Sequence, residues 1–183
     1  LLLQQRQADI TPFEHDFQLG NAAAPVQILM ACNPYCGPCA TAHNTLHELA
    51  ERNNIGLTVR FTIKHDKKDD IRTQAAEYML RLLCHKSEAY KKQALHDWYT
   101  LMNMVKFAAK HPVTGNGMDV TGQLKQHEQW AEAATIKFTP TIFINGYELP
   151  KQYNATDLAA MVRYLNSKTT TIAEQVENNY VPA

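Results

Sequence analysis

The chain has 183 residues, and its 18 Lys and Arg balance 18 Asp and Glu for a formal net charge of zero. That balance argues against a dedicated nucleic-acid binder or a polybasic membrane adhesin, and the length fits one domain or one fold with a sizeable insertion. With 45% hydrophobic and 20% charged residues the chain can build a real core, which excludes collagen-like, disordered and disulfide-scaffold classes.

Residues 1–16 read as a lead-in, a linker from an upstream region. The chain opens at Leu1 without an initiator Met, as a processed protein or a piece of a longer one would. Residues 26–31, Val-Gln-Ile-Leu-Met-Ala, form the short apolar run of a strand buried on both faces. After Pro38, Cys39, Ala42, Leu46, Leu49 and Ala50 recur at three- and four-residue steps, predicting an amphipathic helix that stops near Asn53-Asn54. Residues 57–63 alternate with β-branched side chains and predict a second core strand, closing a β-α-β unit with a parallel pair.

From about 70 to 134 the period is helical throughout. Ile71, Ala75, Met79, Leu82 and Leu83 make one apolar face, and Ala94, Leu95, Trp98, Leu101, Met102 and Val105 another. A further helix is expected over about 120–134, with Leu124, Trp130 and Ala134 inward, after the break at Gly115-Asn116-Gly117. Thr141-Ile142-Phe143-Ile144 then predicts a strand, turned by Asn145-Gly146 into a hairpin. A last helix, capped by Asn154 or Thr156, presents Leu158, Met161, Val162 and Leu165, and residues 167–183 read as a loose tail.

The chemistry gathers at Cys36-Gly37-Pro38-Cys39, four residues that end a strand-to-helix turn. A cysteine at a helix start faces unpaired backbone N–H groups and the positive end of the helix dipole, which favour a thiolate. Cys36 is therefore the attacking sulfur. Cys39, in the first turn and facing the core, resolves the mixed disulfide. Pro38 suits the first turn because its φ is fixed and its missing N–H would have gone unpaired. Gly37 leaves the approach to Cys36 open, and Tyr35 and Pro34 flank it. Two blander readings stand beside this one: a plain buried disulfide, or two half-ligands of zinc. Cys36, Cys39, His43 and His47 supply two thiols and two imidazoles, but one straight helix cannot wrap a tetrahedron. No metal and no cofactor is expected. His43 reads as a packed or half-exposed helix residue that, as an imidazolium, would tune the thiols, and His47 as a surface residue. Cys32 and Cys84 read as single packing thiols, with a second disulfide or relay as the sharper alternative.

Strand, Cys-Gly-Pro-Cys, helix, strand, then Thr139-Pro140-Thr141 before a strand with an Asn-Gly turn resembles the thioredoxin superfamily, and the interposed helices resemble its DsbA-like branch. The resemblance implies an α/β thioredoxin fold over residues 17–166, with an all-helical insertion at about 70–134 between the β-α-β half and the cis-proline strand. It also implies a cis Pro140 opposite the cysteine pair, where Thr139 offers its backbone to a substrate segment with Tyr35 alongside. The layout is similar, too, to the thioredoxin-like domain fused to bacterial vitamin K epoxide reductase homologues. The implied activity is thiol-disulfide exchange with protein cysteines in oxidative folding, in a bacterial periplasm or other exported compartment, as a free protein or a domain of a membrane protein. A membrane partner of the vitamin K epoxide reductase type would recycle the pair, and no nucleic acid is involved. Thioredoxins proper carry a buried Asp six residues before the first cysteine, where this chain has Met30, and Gly-Pro is the dipeptide that reducing thioredoxins use. A reductase or isomerase, or a non-catalytic binding domain, therefore stands as the alternative.

Overall fold

A computed structural model describes residues 2–14, 16–83, 86–113, 118–154 and 157–179, with side chains to Lys168. Its five strands are β1 (Phe17–Gly20), β2 (Val26–Cys32), β3 (Ile55–Phe61), β4 (Thr141–Ile144) and β5 (Tyr147–Glu148), in the order β1-β3-β2-β4-β5. Helix α1 (Gly37–Arg52) links the parallel pair β2 and β3, and every other pairing is antiparallel. Between β3 and β4 lie α2 (Ile71–Leu83), α3 (Glu88–Leu101), α4 (Met104–Lys110) and α5 (Thr121–Ala133); α6 (Leu158–Asn179) follows β5. Among the described residues, no helix is long and apolar enough to cross a membrane.

The central strands are buried on both faces, and their alternation divides the core in two. Ile28, Met30, Cys32, Leu57, Val59, Phe61, Ile142 and Ile144 join the larger cluster with α1, α2, α3 and α6. Leu29, Ala31 and Phe143 point the other way, onto Trp130 and Ala134 at α5 and onto Ala8, Ile10 and Phe13 of the lead-in. The lead-in is held to the domain: Arg6 pairs with Glu148 at 2.7 Å, and the Ala8 amide donates to Gly146 O at 2.9 Å. On the same face Arg60 and Asp16 form a fully buried ion pair at 2.6 Å. Arg60 also donates to Thr11 O, and its guanidinium lies 3.7 Å from the Phe13 ring centre and 4.9 Å from that of Trp130. His127 accepts the Phe61 amide on Nδ1 at 3.2 Å, which leaves the proton on Nε2, 3.4 Å from Asp16 Oδ1.

Several expectations need correction. Phe17–Gly20, read only as an approach to the first core strand, forms an edge strand on β3. It ends at Gly20, with φ +74°, where a Cβ would stand 2.4 Å from Ile55 O. Val105, assigned to the apolar face of α3, is 80% exposed. Met102 enters the left-handed region at φ 38° and α4 starts afresh at Met104, so the helical phase carrying Trp98 does not reach Val105. Ile71 is 58% exposed because it opens α2, before the buried face at Thr73, Ala75 and Ala76 is established. The last helix does not stop near 166: no Gly or Pro occurs within 158–179, and the backbone stays helical to Asn179. Asp157 immediately precedes it, accepting the Asn154 amide at 2.8 Å. Thr156, Cys84 and Gly115-Asn116-Gly117 lie outside the described residues.

Candidate active site

The register brings the site together. Ala31 stands opposite Thr141 in the antiparallel β2–β4 pair, so the residues just before β4 meet the loop just after β2. Those residues are Thr139 and Pro140, joined by a cis peptide. The Thr139 carbonyl lies 3.6 Å from Cys36 Sγ and its hydroxyl 3.7 Å. Cys36 itself is the N-cap of α1, in extended conformation with φ −125° and ψ 112°, and its Sγ accepts the Cys39 amide at 3.3 Å. A sulfur thus takes the role that Ser or Asp oxygen fills at other helix starts.

The two thiols are free and differ in surroundings. Cys36 is partly exposed, whereas Cys39 has no exposed surface. Burial pushes the Cys39 thiol up to about 12, and its hydrogen bond with Cys36 adds to that, while the Asn33 backbone and the Thr139 side chain pull the other way. Cys39 is therefore held as a thiol. Gly37 and Pro38 are exposed on the first turn, and a Cβ at Gly37 would meet nothing within 4 Å. An apolar groove of about 920 Å³ runs from this turn past Pro140, lined by Pro38, Thr41, Phe138, Leu149 and Tyr153. Phe138 is 46% exposed along it.

Tyr35 is half-buried, its amide donating to Asn33 Oδ1 at 2.9 Å and its ring edge-on to Trp98, 5.2 Å between centres. Trp98 Nε1 donates to Pro34 O at 2.8 Å, which ties the loop before Cys36 to α3. Sequence reasoning took Trp98 for core alone; the signal was its indole N–H, which needs a partner when buried. Tyr99 and Phe138 were missed as well. The Tyr99 hydroxyl donates to Cys32 Sγ at 2.9 Å, and Cys32 is a fully buried free thiol behind the site.

His43 does not act as the imidazolium expected of it. It is fully buried, its ring 5.0 Å from that of Tyr99, and desolvation, helped by His47 and His96, drives its proton affinity down to about 3. A neutral imidazole exerts no positive field on the thiols. His47 is half-buried rather than at the surface. Elsewhere, His65, Asp66 and Glu128 bring ligand-type atoms together. Lys64 Nζ already sits 2.9 Å from Glu128 and His65 Nδ1 bonds the same carboxylate, so this cluster is neutralised internally.

A family model described as Thioredoxin matches residues 13–164. No curated protein sequence matches the chain. Among solved structures, oxidised BdbD from Bacillus subtilis is 12% identical with a TM-score of 0.66, over 89% of this chain and 97% of that one. A periplasmic thioredoxin-like protein from Salmonella enterica serovar Typhimurium is 12% identical with a TM-score of 0.71, covering 86% of this chain and 94% of its own. A variant of alpha-DsbA1 from Wolbachia pipientis with two cysteines replaced is 14% identical with a TM-score of 0.67, over 90% of this chain and 96% of that one. At these identities the likeness is one of fold.

Proposed function

Because the chain belongs to the thioredoxin family, we propose that it is a thiol-disulfide oxidoreductase that oxidises the cysteines of protein substrates in an exported compartment. One observation carries this reading: an open Cys36 at the start of α1 faces Thr139, while the sealed Cys39 stands behind it in the first turn. In the oxidising direction a substrate thiolate attacks Cys36 Sγ of the disulfide. The Cys36–Cys39 bond breaks, and Cys39 leaves with the electron pair and takes up a proton. A second substrate thiolate then attacks the substrate sulfur of the mixed disulfide and expels Cys36 as a thiolate. Two electrons pass to the pair and the substrate gains one disulfide. The Thr139 carbonyl and the apolar groove beside Pro140 hold an extended segment during both attacks.

A bacterial periplasm suits such chemistry, since disulfides persist there, and the Salmonella neighbour is described as periplasmic. A membrane disulfide generator of the vitamin K epoxide reductase type would return the pair to its oxidised form. The second reading, a reductase or isomerase, is favoured by Gly37-Pro38 and is the reverse of the same steps. Redox titration with a defined dithiol separates them: the oxidase reading expects a potential between about −270 and about −120 mV. A potential at the lower limit, with substrate reduction much faster than oxidation, would assign the protein to the reductases. Cys39→Ser should accumulate mixed disulfides through Cys36, and trapping through Cys39 in Cys36→Ser instead would overturn both readings.

A further inference from the structure

Helices α1 and α3 lie side by side, and their seam carries side chains one helical turn apart. At its inner end the His43 ring lies against Tyr99, with 5.0 Å between centres. Next come His47, 5.8 Å from His43, and His96 of α3, 6.3 Å from His47. At the outer end Lys92 pairs with Glu51. Three imidazoles thus run in a row from the first turn beyond Cys39 to solvent. The burial falls along the row: His43 has no exposed surface, His47 is half-buried and His96 is exposed.

The inner imidazole is unusual. Nδ1 and Nε2 of His43 and Nε2 of His47 are shielded from solvent and make no hydrogen bond. Buried polar groups almost always have partners, so an orphaned ring at the centre of a seam calls for one. Tyr99, whose ring packs against His43, is committed to Cys32 through its hydroxyl. Lys92 and Glu51 neutralise each other, and Glu48 lies on the exposed side of α1 near Arg52. His43 and His47 thus each present at least one ring nitrogen that the fold itself leaves without a partner.

We propose that His43, His47 and His96 bind one borderline transition-metal cation of the Zn²⁺ or Ni²⁺ class. Two imidazoles at i and i+4 on one helical face form a bidentate chelate, as in zinc sites that use a single helix for two ligands. One helix cannot complete a tetrahedron, and α3 supplies the third nitrogen from the facing side. The rings stand in a row rather than around a point, so closure requires His47 and His96 to turn about their side-chain torsions. His47 is half-buried and His96 exposed, whereas His43 is held by packing. All donors are imidazole nitrogens, which selects against Mg²⁺ and Ca²⁺.

The test uses the full chain with Cys36→Ser and Cys39→Ser, so that no active-site thiol can bind the probe. Zn²⁺ is titrated at neutral pH in competition with a chromophoric chelator, and Co²⁺ spectra report the ligand type. One equivalent should bind, with nitrogen ligation. His47→Ala and His96→Ala should each weaken binding at least tenfold with helix content unchanged, and Glu128→Gln should leave it intact. Absence of binding, undiminished affinity in either histidine variant, or loss in Glu128→Gln instead would overturn the site. Thiol-disulfide exchange by the unaltered protein in excess chelator tests the oxidoreductase reading separately, so either can fail without the other.

Discussion

Two buried polar groups on opposite faces of the sheet are held in opposite ways. On the α5 face, Arg60, Asp16, His127 and Thr11 form a network in which only Arg60 Nη1 lacks a partner, and that guanidinium lies against Phe13 and Trp130. On the α1 face, His43 is equally buried and has no partner at all, while Cys39 is held protonated by its surroundings. The first arrangement anchors the lead-in and α5 to β3. The second is unfinished by comparison and lies behind the reactive turn.

The largest expected effect comes from opening the closed network. Asp16→Asn leaves the Arg60 charge buried without its counter-ion and should destabilise the fold by about 3–5 kcal/mol in denaturant unfolding. Replacing both residues by apolar ones of similar volume should recover most of that loss. Burial pushes the Asp16 carboxyl upward, but hydrogen bonds from His127 and Arg60 outweigh it and hold it below its ordinary value. Its stabilisation is thus complete above about pH 4 and is lost as pH falls through the lower folded value. A single-variant loss under about 1 kcal/mol would erase the contrast between the faces.

The orphaned imidazole should show at milder acidity. His43 binds its proton at about 3 in the folded chain and near 6.5 once unfolded. The unfolded state therefore takes up the extra proton, and stability should fall by about 1.4 kcal/mol per pH unit as pH drops from 6.5 toward 3. His43→Leu should flatten that slope. An unchanged slope would mean that His43 has a partner in solution.

Much of this arrangement is legible without coordinates, and the limit is geometric. Cys36-Gly37-Pro38-Cys39 and the helical period after it are local signals, an apolar run marks β2, and β-branched runs mark β3 and β4. The Asp16–Arg60 pair spans 44 residues, and its partners sit in a stretch read as a lead-in. Trp98 and Tyr99 reach the site only through the packing of α3 on α1, which no local pattern encodes. Val105 failed for a related reason: a one-residue left-handed step at Met102 resets the helical phase.

The buried thiol gives a smaller, kinetic readout. In the reverse, reducing direction, resolution of the mixed disulfide requires the Cys39 thiolate, and with the thiol pushed up to about 12 that form is scarce at neutral pH. Engaging Cys36 in a mixed disulfide removes its own contribution to this shift but leaves the burial, the largest cause, in place. Stopped-flow resolution rates should rise about tenfold per pH unit from 7 to 9 without a plateau. A plateau near neutrality would mean that the seam opens when Cys36 is occupied.

The smallest effect belongs to Tyr99, which donates the seam's hydrogen bond to Cys32. Tyr99→Phe removes one hydroxyl while keeping the ring that lies against His43. Thiol sulfur is a weak acceptor, so the lost bond strands no strongly polar group, in contrast to the Arg60 charge left by Asp16→Asn. The expected cost is about 1 kcal/mol, near that of an ordinary net hydrogen bond. Cys32→Ala in the Tyr99→Phe background then isolates the pair, and the coupling between the two substitutions should stay below about 1 kcal/mol. A coupling of several kcal/mol would make Tyr99 and Cys32 a closed network like the one around Arg60, and the two faces of the sheet would then bury polar groups by the same rule.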